Sequence, residues 1–192
     1  MKNLSLFLIG ICLFFAHASI NAQTEFQPFR VDMGFGWNKA FWSNTGSGVA
    51  LYFEPKYAVT PVLNIGVKFE GDLNSRNYTQ TWGLRQWIGS CLATADYHFM
   101  QNSDLRLFAG AGLGVYHISV YNDAIPISGV ANNFGAMLRV GFDVNHFRLA
   151  LAYNYAGKDV ADCNTSFFSI TIGGYLGGGK KKMTATSLSA TL

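Results

Sequence analysis

Residues 132–155 read NNFGAMLRVGFDVNHFRLALAYNY, and this stretch decides the fold. Phe134, Ala136, Leu138, Val140 and Phe142 alternate with Gly135, Arg139 and Asp143. Asn145-His146 is a very short turn. After it, Phe147, Leu149, Leu151, Tyr153 and Tyr155 alternate with Arg148, Ala150, Ala152 and Asn154. A period of two marks strands with two unlike faces. Two such runs on a tight turn predict an antiparallel hairpin.

The pattern extends in both directions and predicts eight strands. They lie at about Phe29–Phe41, Val49–Tyr57, Leu63–Glu70, Leu84–Phe99, Leu105–Tyr116, Asn132–Val144, Phe147–Tyr155 and Ser166–Leu176. Segment four is the least regular, with Ile88 and Leu92 on its second face. Connections after segments two, four and six are short. Those after three, five and seven are longer, at about Gly71–Gly83, Ile118–Ala131 and Ala156–Thr165. The first, Trp42–Gly48, is brief. An even strand number with short turns at one end and longer loops at the other is the layout of a transmembrane barrel.

A soluble barrel would also alternate, with its apolar face inward. Three features put lipid outside instead. First, the charges assigned to the segments fall on the second face: Arg30, Asp32, Glu54, Lys56, Lys68, Glu70, Asp96, Arg106, Arg139, Asp143 and Arg148. Their near balance suits a closed interior, where an unpaired charge costs several kcal/mol. Second, the rest of that face is mostly Gly, Ala, Ser and Tyr, poor material for a solvated surface. Third, aromatics cluster at the segment ends. Phe29, Tyr57, Phe99 and Phe147 mark the short-turn end; Trp37, Phe41, Phe69, Trp87, Tyr155 and Phe168 mark the loop end. Two aromatic girdles around an apolar band are expected of outer-membrane barrels.

The composition agrees. Of 192 residues, 13% are charged and 15% aromatic, with 21 Gly and only 4 Pro. That excludes a disordered chain and a coiled coil. A net charge of +3 is too weak to suggest nucleic-acid binding. No apolar run after the first 20 residues is long enough for a membrane helix.

The N-terminus reads as a secretory signal peptide: Lys2, the apolar core Leu4 to Ala16, and a cleavage site after Ala22 or else Ala18. Cys12 lies inside that core, so lipidation is not expected. The expected organisation is a signal peptide over 1–22, a barrel over 23–176 and a periplasmic tail over 177–192.

The chain resembles the small bacterial outer-membrane β-barrel family (OmpA/OmpX-like). Glu54-Pro55-Lys56-Tyr57 with Thr60-Pro61, and Ala95-Asp96-Tyr97-His98-Phe99, carry the resemblance. Gly110 to Tyr116 and Gly173 to Lys182 add to it. The resemblance covers about residues 24 to 182. It implies a structural barrel, sometimes a narrow pore or a ligand-binding surface. Such barrels usually end on an aromatic that the insertion machinery reads. Here Leu176 holds the nearest position and a tail follows.

Other constellations have plainer readings. Cys91 sits on the lipid face and Cys163 in the last loop, so both are expected free. Gly110-Ala-Gly-Leu-Gly114 packs rather than binds a dinucleotide, because Val-Tyr follows instead of a helix. Lys180-Lys181-Lys182 reads as a solvated tail. His117-Ile118-Ser119 is similar to the His-x-Ser of outer-membrane lipid A deacylases, and parity points both side chains outward. Its flanking residues differ from that family, and the nearest acid is Asp123, so a bland interfacial role is expected. No catalytic, cofactor-binding or metal-ligating residues are expected.

The reading is therefore an all-β, eight-stranded antiparallel transmembrane barrel in the outer membrane of a Gram-negative cell. A non-enzymatic structural or surface-interaction role comes first, a narrow porin-like pore second and an enzyme acting on lipid A third. Expected partners are outer-membrane lipid, lipopolysaccharide and the barrel insertion machinery, with no nucleic acid and an unidentified extracellular ligand.

Overall fold

The computed structural model describes residues 28–40, 45–78, 82–101, 105–122, 128–158 and 164–178. The predicted signal peptide, Phe41, Asp123, Cys163 and the lysine run lie outside these residues. The chain forms one closed barrel of eight antiparallel strands, each paired with the next and the last paired with the first. The strands are β1 Phe29–Ala40, β2 Thr45–Ala58, β3 Leu63–Tyr78, β4 Trp82–Gln101, β5 Leu105–Asn122, β6 Ser128–Val144, β7 Phe147–Tyr155 and β8 Phe167–Gly177. Closure pairs each strand on both sides through the body of the barrel, as lipid requires; the Ser128–Gly135 arm of β6 runs on past the end of β7.

The short turns are built locally. Thr60 Oγ1 accepts the backbone N–H of Leu63 at 3.0 Å and of Val62 at 3.3 Å, folding the chain back between β2 and β3. Between β6 and β7, Asn145 adopts φ 52°, a left-handed conformation that Asn tolerates better than most residues. Gly177 ends β8 at φ 79°, where any side chain would meet the Phe29 carbonyl.

Two predicted loops prove to be mostly strand. β3 continues to Tyr78 and β4 begins at Trp82, so most of Gly71–Gly83 is a hairpin arm. Similarly, β5 runs to Asn122 and β6 starts at Ser128. The physical reason is simple. Apolar alternation persists only where one face meets lipid, whereas backbone pairing continues beyond it. A tilted strand crosses the membrane in about 9–11 residues. β4 has 20 and β5 has 18, so both exceed that requirement.

Outward positions are mostly apolar. Leu51, Phe134 and Leu138 are among the most exposed large side chains, at 71%, 71% and 64%. The predicted girdle residues Phe29, Phe99, Phe147, Trp37, Phe69, Trp87, Tyr155 and Phe168 are all exposed, and Tyr57 is half-buried. Cys91 is free and outward. Lys39 corrects the expectation that every strand charge faces inward. It shares the outward parity of Trp37 and is exposed near the end of β1.

Leu138 lies near the middle of β6's outward row. Leu138→Arg is expected to destabilise the membrane-inserted barrel by about 2–4 kcal/mol, the cost of a cation near the bilayer midplane. Equilibrium unfolding in phospholipid vesicles, followed by Trp fluorescence, reads this directly.

Candidate functional site

The lumen is filled by side chains in two regions. Toward the short turns, it holds a continuous ion-pair network. Asp96, fully buried on β4, is its hub. Its Oδ2 accepts Lys56 Nζ at 2.7 Å and an Arg148 guanidinium N–H at 2.7 Å, while its Oδ1 accepts Arg139 Nε–H at 2.8 Å. Arg139 also grips Glu54 with two parallel bonds of 2.8 and 2.6 Å, the bidentate geometry its planar fork allows. Thr94 donates its hydroxyl to Glu54 at 2.6 Å.

Asp32 pairs with Arg30 and Lys56, each at 2.7 Å, and with Arg148 at 3.2 Å. Asp143 collects Arg30 at 3.0 Å, His98 at 3.3 Å and Arg148 at 3.4 Å. Arg106, part-exposed at 25%, reaches Asp143 at 3.5 Å and donates to the Tyr175 hydroxyl at 2.5 Å. That hydroxyl in turn donates to the Asn145 carbonyl, tying the network to the turn. The guanidinium of Arg148 lies over Phe108 at 3.7 Å, and that of Arg30 over Tyr175 at 4.2 Å. Both contacts add cation–π attraction.

Small residues make this packing possible. A side chain at Gly110 would collide with the Asp96 carboxylate, and one at Gly135 would collide with the Tyr116 ring.

Toward the hairpin end the filling becomes apolar. Ile88, Leu92, Tyr116, Ile118, Met137 and Phe167 form one buried cluster. Tyr116 donates its hydroxyl to Asn154 Oδ1 at 3.0 Å, and Asn154 donates to Ser169 at 3.3 Å. Lys68 pairs with Glu70 beside this cluster. Asn38 donates to Asp72 at 2.6 Å.

Ten of the eleven predicted lumen charges are buried, and Arg106 is partly so. Lys68 and Glu70 stand apart from the hub as a pair of their own. Asp72 is missing from the prediction because it was assigned to a loop. Carrying the alternation of Lys68 and Glu70 two residues further would have found it. With Asp72 included, the inward set among the described residues is six cations (Arg30, Lys56, Lys68, Arg106, Arg139, Arg148) and six anions (Asp32, Glu54, Glu70, Asp72, Asp96, Asp143). Among the described residues, no cluster of His, Cys, Asp or Glu is arranged to hold a metal ion.

His117 and Ser119 do share the outward face of β5, and their ring nitrogen and hydroxyl lie 3.4 Å apart. The partner that sequence reasoning missed is Asn132 on β6, the register neighbour of His117.

The family model described as an outer membrane protein beta-barrel domain matches residues 8–175. The chain belongs to this family. Its place is therefore the cell outer membrane, as an integral barrel protein.

Among solved structures, the Neisserial surface protein A resembles it at 16% identity and TM-score 0.58, over 80% of this chain and 97% of that one. Ail, the attachment invasion locus protein of Yersinia pestis, aligns at 12% identity and TM-score 0.48, over 79% and 97%. The N-terminal β-barrel domain of Pseudomonas aeruginosa OprF aligns at 16% and 0.47, over 79% and 99%. No curated protein matches the chain in sequence. At these identities the likeness concerns the fold of the family alone.

Proposed function

We propose that this outer-membrane barrel is a non-conducting structural and surface-interaction protein. In this reading its long hairpins face outside and both termini face the periplasm. The observation that carries the reading is the filling of the lumen. Three cations converge on Asp96, and an apolar cluster sits above them. An eight-stranded barrel is just wide enough for its own side chains to fill it. A permeating ion would have to displace paired charges that hold one another, at several kcal/mol each.

Residues 1–22 act as the export signal and 177–192 as a periplasmic tail. The outward aromatics Phe29, Tyr57, Phe99 and Phe147 hold one interface, and Trp37, Phe69, Trp87, Tyr155 and Phe168 hold the other. The partners are membrane lipid and lipopolysaccharide along the wall, the insertion machinery during assembly, and an external ligand at the hairpin tips.

Single-channel recording in a planar bilayer tests the reading, with insertion checked by the gel mobility of unheated against boiled protein. A folded, inserted and electrically silent barrel is expected. Reproducible conductance steps from folded protein would make it a pore and the lumen charges its filter.

A further inference from the structure

The outer wall carries an arrangement that neither sealing the lumen nor contacting lipid requires. Pairing between strands sets Leu51, Gly71, Gly89, His117 and Asn132 in one row across β2 to β6. All five have outward parity. Ser119 lies two residues along β5 from His117, on the same face.

The three polar side chains are linked in series. The hydroxyl of Ser119 lies 3.4 Å from His117 Nε2, and His117 Nδ1 lies 2.7 Å from the amide oxygen of Asn132. An amide oxygen only accepts, so Nδ1 carries the proton and donates it. That tautomer leaves Nε2 as an acceptor facing the serine. A hydroxyl, a base within reach, and a third group that fixes the base's tautomer are the three roles of a hydrolytic triad. Such a triad is recognised by geometry rather than by chain order.

The imidazole is held from a second side. The Trp87 ring meets it edge-on, with centroids 5.7 Å apart and planes at 66°. Trp87 can lie there because Gly89 has no side chain; a Cβ at Gly89 would strike the indole.

Beside the triad the wall is hollowed. Gly71 and Gly89 are register partners in the row that leads to His117; the Trp87 ring covers Gly89, and Gly71 is left open. A shallow, open depression of about 830 Å³ runs along the wall from Phe35 on β1 past Leu51, Phe69 and Trp87 to His117 and Asn132. This face of an inserted barrel meets lipid, so an acyl chain is the occupant available to an apolar depression. The polar trio at its end would then sit where an acyl chain's ester carbonyl lies.

We propose that Ser119, His117 and Asn132 hydrolyse the ester-linked fatty acyl chains of membrane lipids, with the acyl chain lying in the depression. Ser119 Oγ forms a bond to the ester carbonyl carbon as His117 Nε2 takes its proton. The C–O bond to the lipid alcohol breaks, and His117 returns the proton to that departing oxygen. Water then attacks the acyl-serine, again giving a proton to His117. The Ser119–acyl bond breaks as His117 returns that proton to Ser119 Oγ, freeing a fatty acid and restoring both the serine hydroxyl and the neutral imidazole. Asn132 is a positioning residue, holding the tautomer without touching substrate. The proposal is independent of whether the lumen conducts.

The test uses the refolded full chain in mixed micelles, with dioleoylphosphatidylethanolamine in one arm and purified lipopolysaccharide in the other. Released fatty acid is quantified, and a fluorophosphonate probe reports an activated serine. Release in at least one arm, with probe labelling, is expected; the productive arm names the lipid class. Ser119→Ala should lose labelling and reduce release by at least roughly 10²-fold, the scale of a lost general-base or nucleophile role. Asn132→Ala should lower kcat with little change in KM, whereas Asn132→Asp should keep most activity. All three variants face outward, so heat-dependent gel mobility should match wild type and show that the barrel has folded. Folded wild-type protein that releases no fatty acid from either lipid and takes no label would overturn the proposal. So would a folded Ser119→Ala protein that hydrolyses at the wild-type rate. In either case the trio is only a polar group at the membrane interface.

Discussion

Asp96→Ala is expected to be the most damaging single change in the barrel. One fully buried carboxylate serves Lys56, Arg139 and Arg148. Removing it leaves three cations facing one another where a single anion had offset them. Breaking one buried pair by deleting a partner costs roughly 3–5 kcal/mol. Here three pairs go at once, although Glu54, Asp32 and Asp143 still hold the same cations from other sides. A loss at or above the upper end of that range is expected, or no folded band at all. The measurement is a urea titration in detergent micelles, followed by Trp fluorescence and gel mobility. A midpoint within error of wild type would show that the hub is not stabilising. Asp96→Asn, which keeps the size and two acceptor lone pairs, should fall between the two proteins.

Arg139→Leu should be nearly as costly, with the opposite sign of stranded charge. Arg139 spans Glu54 and Asp96 with three bonds of 2.6–2.8 Å. Leucine would leave Glu54 with Lys56 at 3.2 Å and the Thr94 hydroxyl alone. A loss of roughly 3–5 kcal/mol is expected. Pairing the change with Glu54→Gln should recover part of it, because the second substitution removes the charge that the first one strands. A double variant as unstable as the sum of the singles would mean that the two residues do not act on each other. Leu138→Arg, one residue away, is costly for the inverse reason. On a strand, one step exchanges lumen for lipid.

Strand number, facing and closure were legible because lipid outside and ions inside impose opposite chemistry on alternate residues. β7 was readable to the residue, since Phe147–Tyr155 lies wholly between a tight turn and a loop. The hairpin arms of β3 to β6 were not legible, because past the lipid band neither face has to be apolar. Asp72 was lost with them. Lys39 was misjudged because at the rim of the band an outward charge need not meet hydrocarbon. Asn132 was visible as a residue but not as a partner. Its place beside His117 is a property of the β5–β6 register, which belongs to two strands and is written in neither alone. Asp123, the acid nearest in sequence, was considered on chain proximity, which says little about neighbours across a sheet.

The ties across the lumen have a consequence in time. Arg30 on β1 reaches Asp143 on β6 across 113 residues of chain, and Arg148 on β7 reaches Asp32 on β1. Hairpins such as β6–β7 can zip early and alone, but these links need both ends of the chain in one place. Until then the ionic residues stay wet, and their hydration opposes premature collapse of a half-built sheet. Docking of β8 against β1 and the expulsion of that water are therefore one event. Assembly should look all-or-none, with a slow final step set by chain ends finding each other rather than by local zippering.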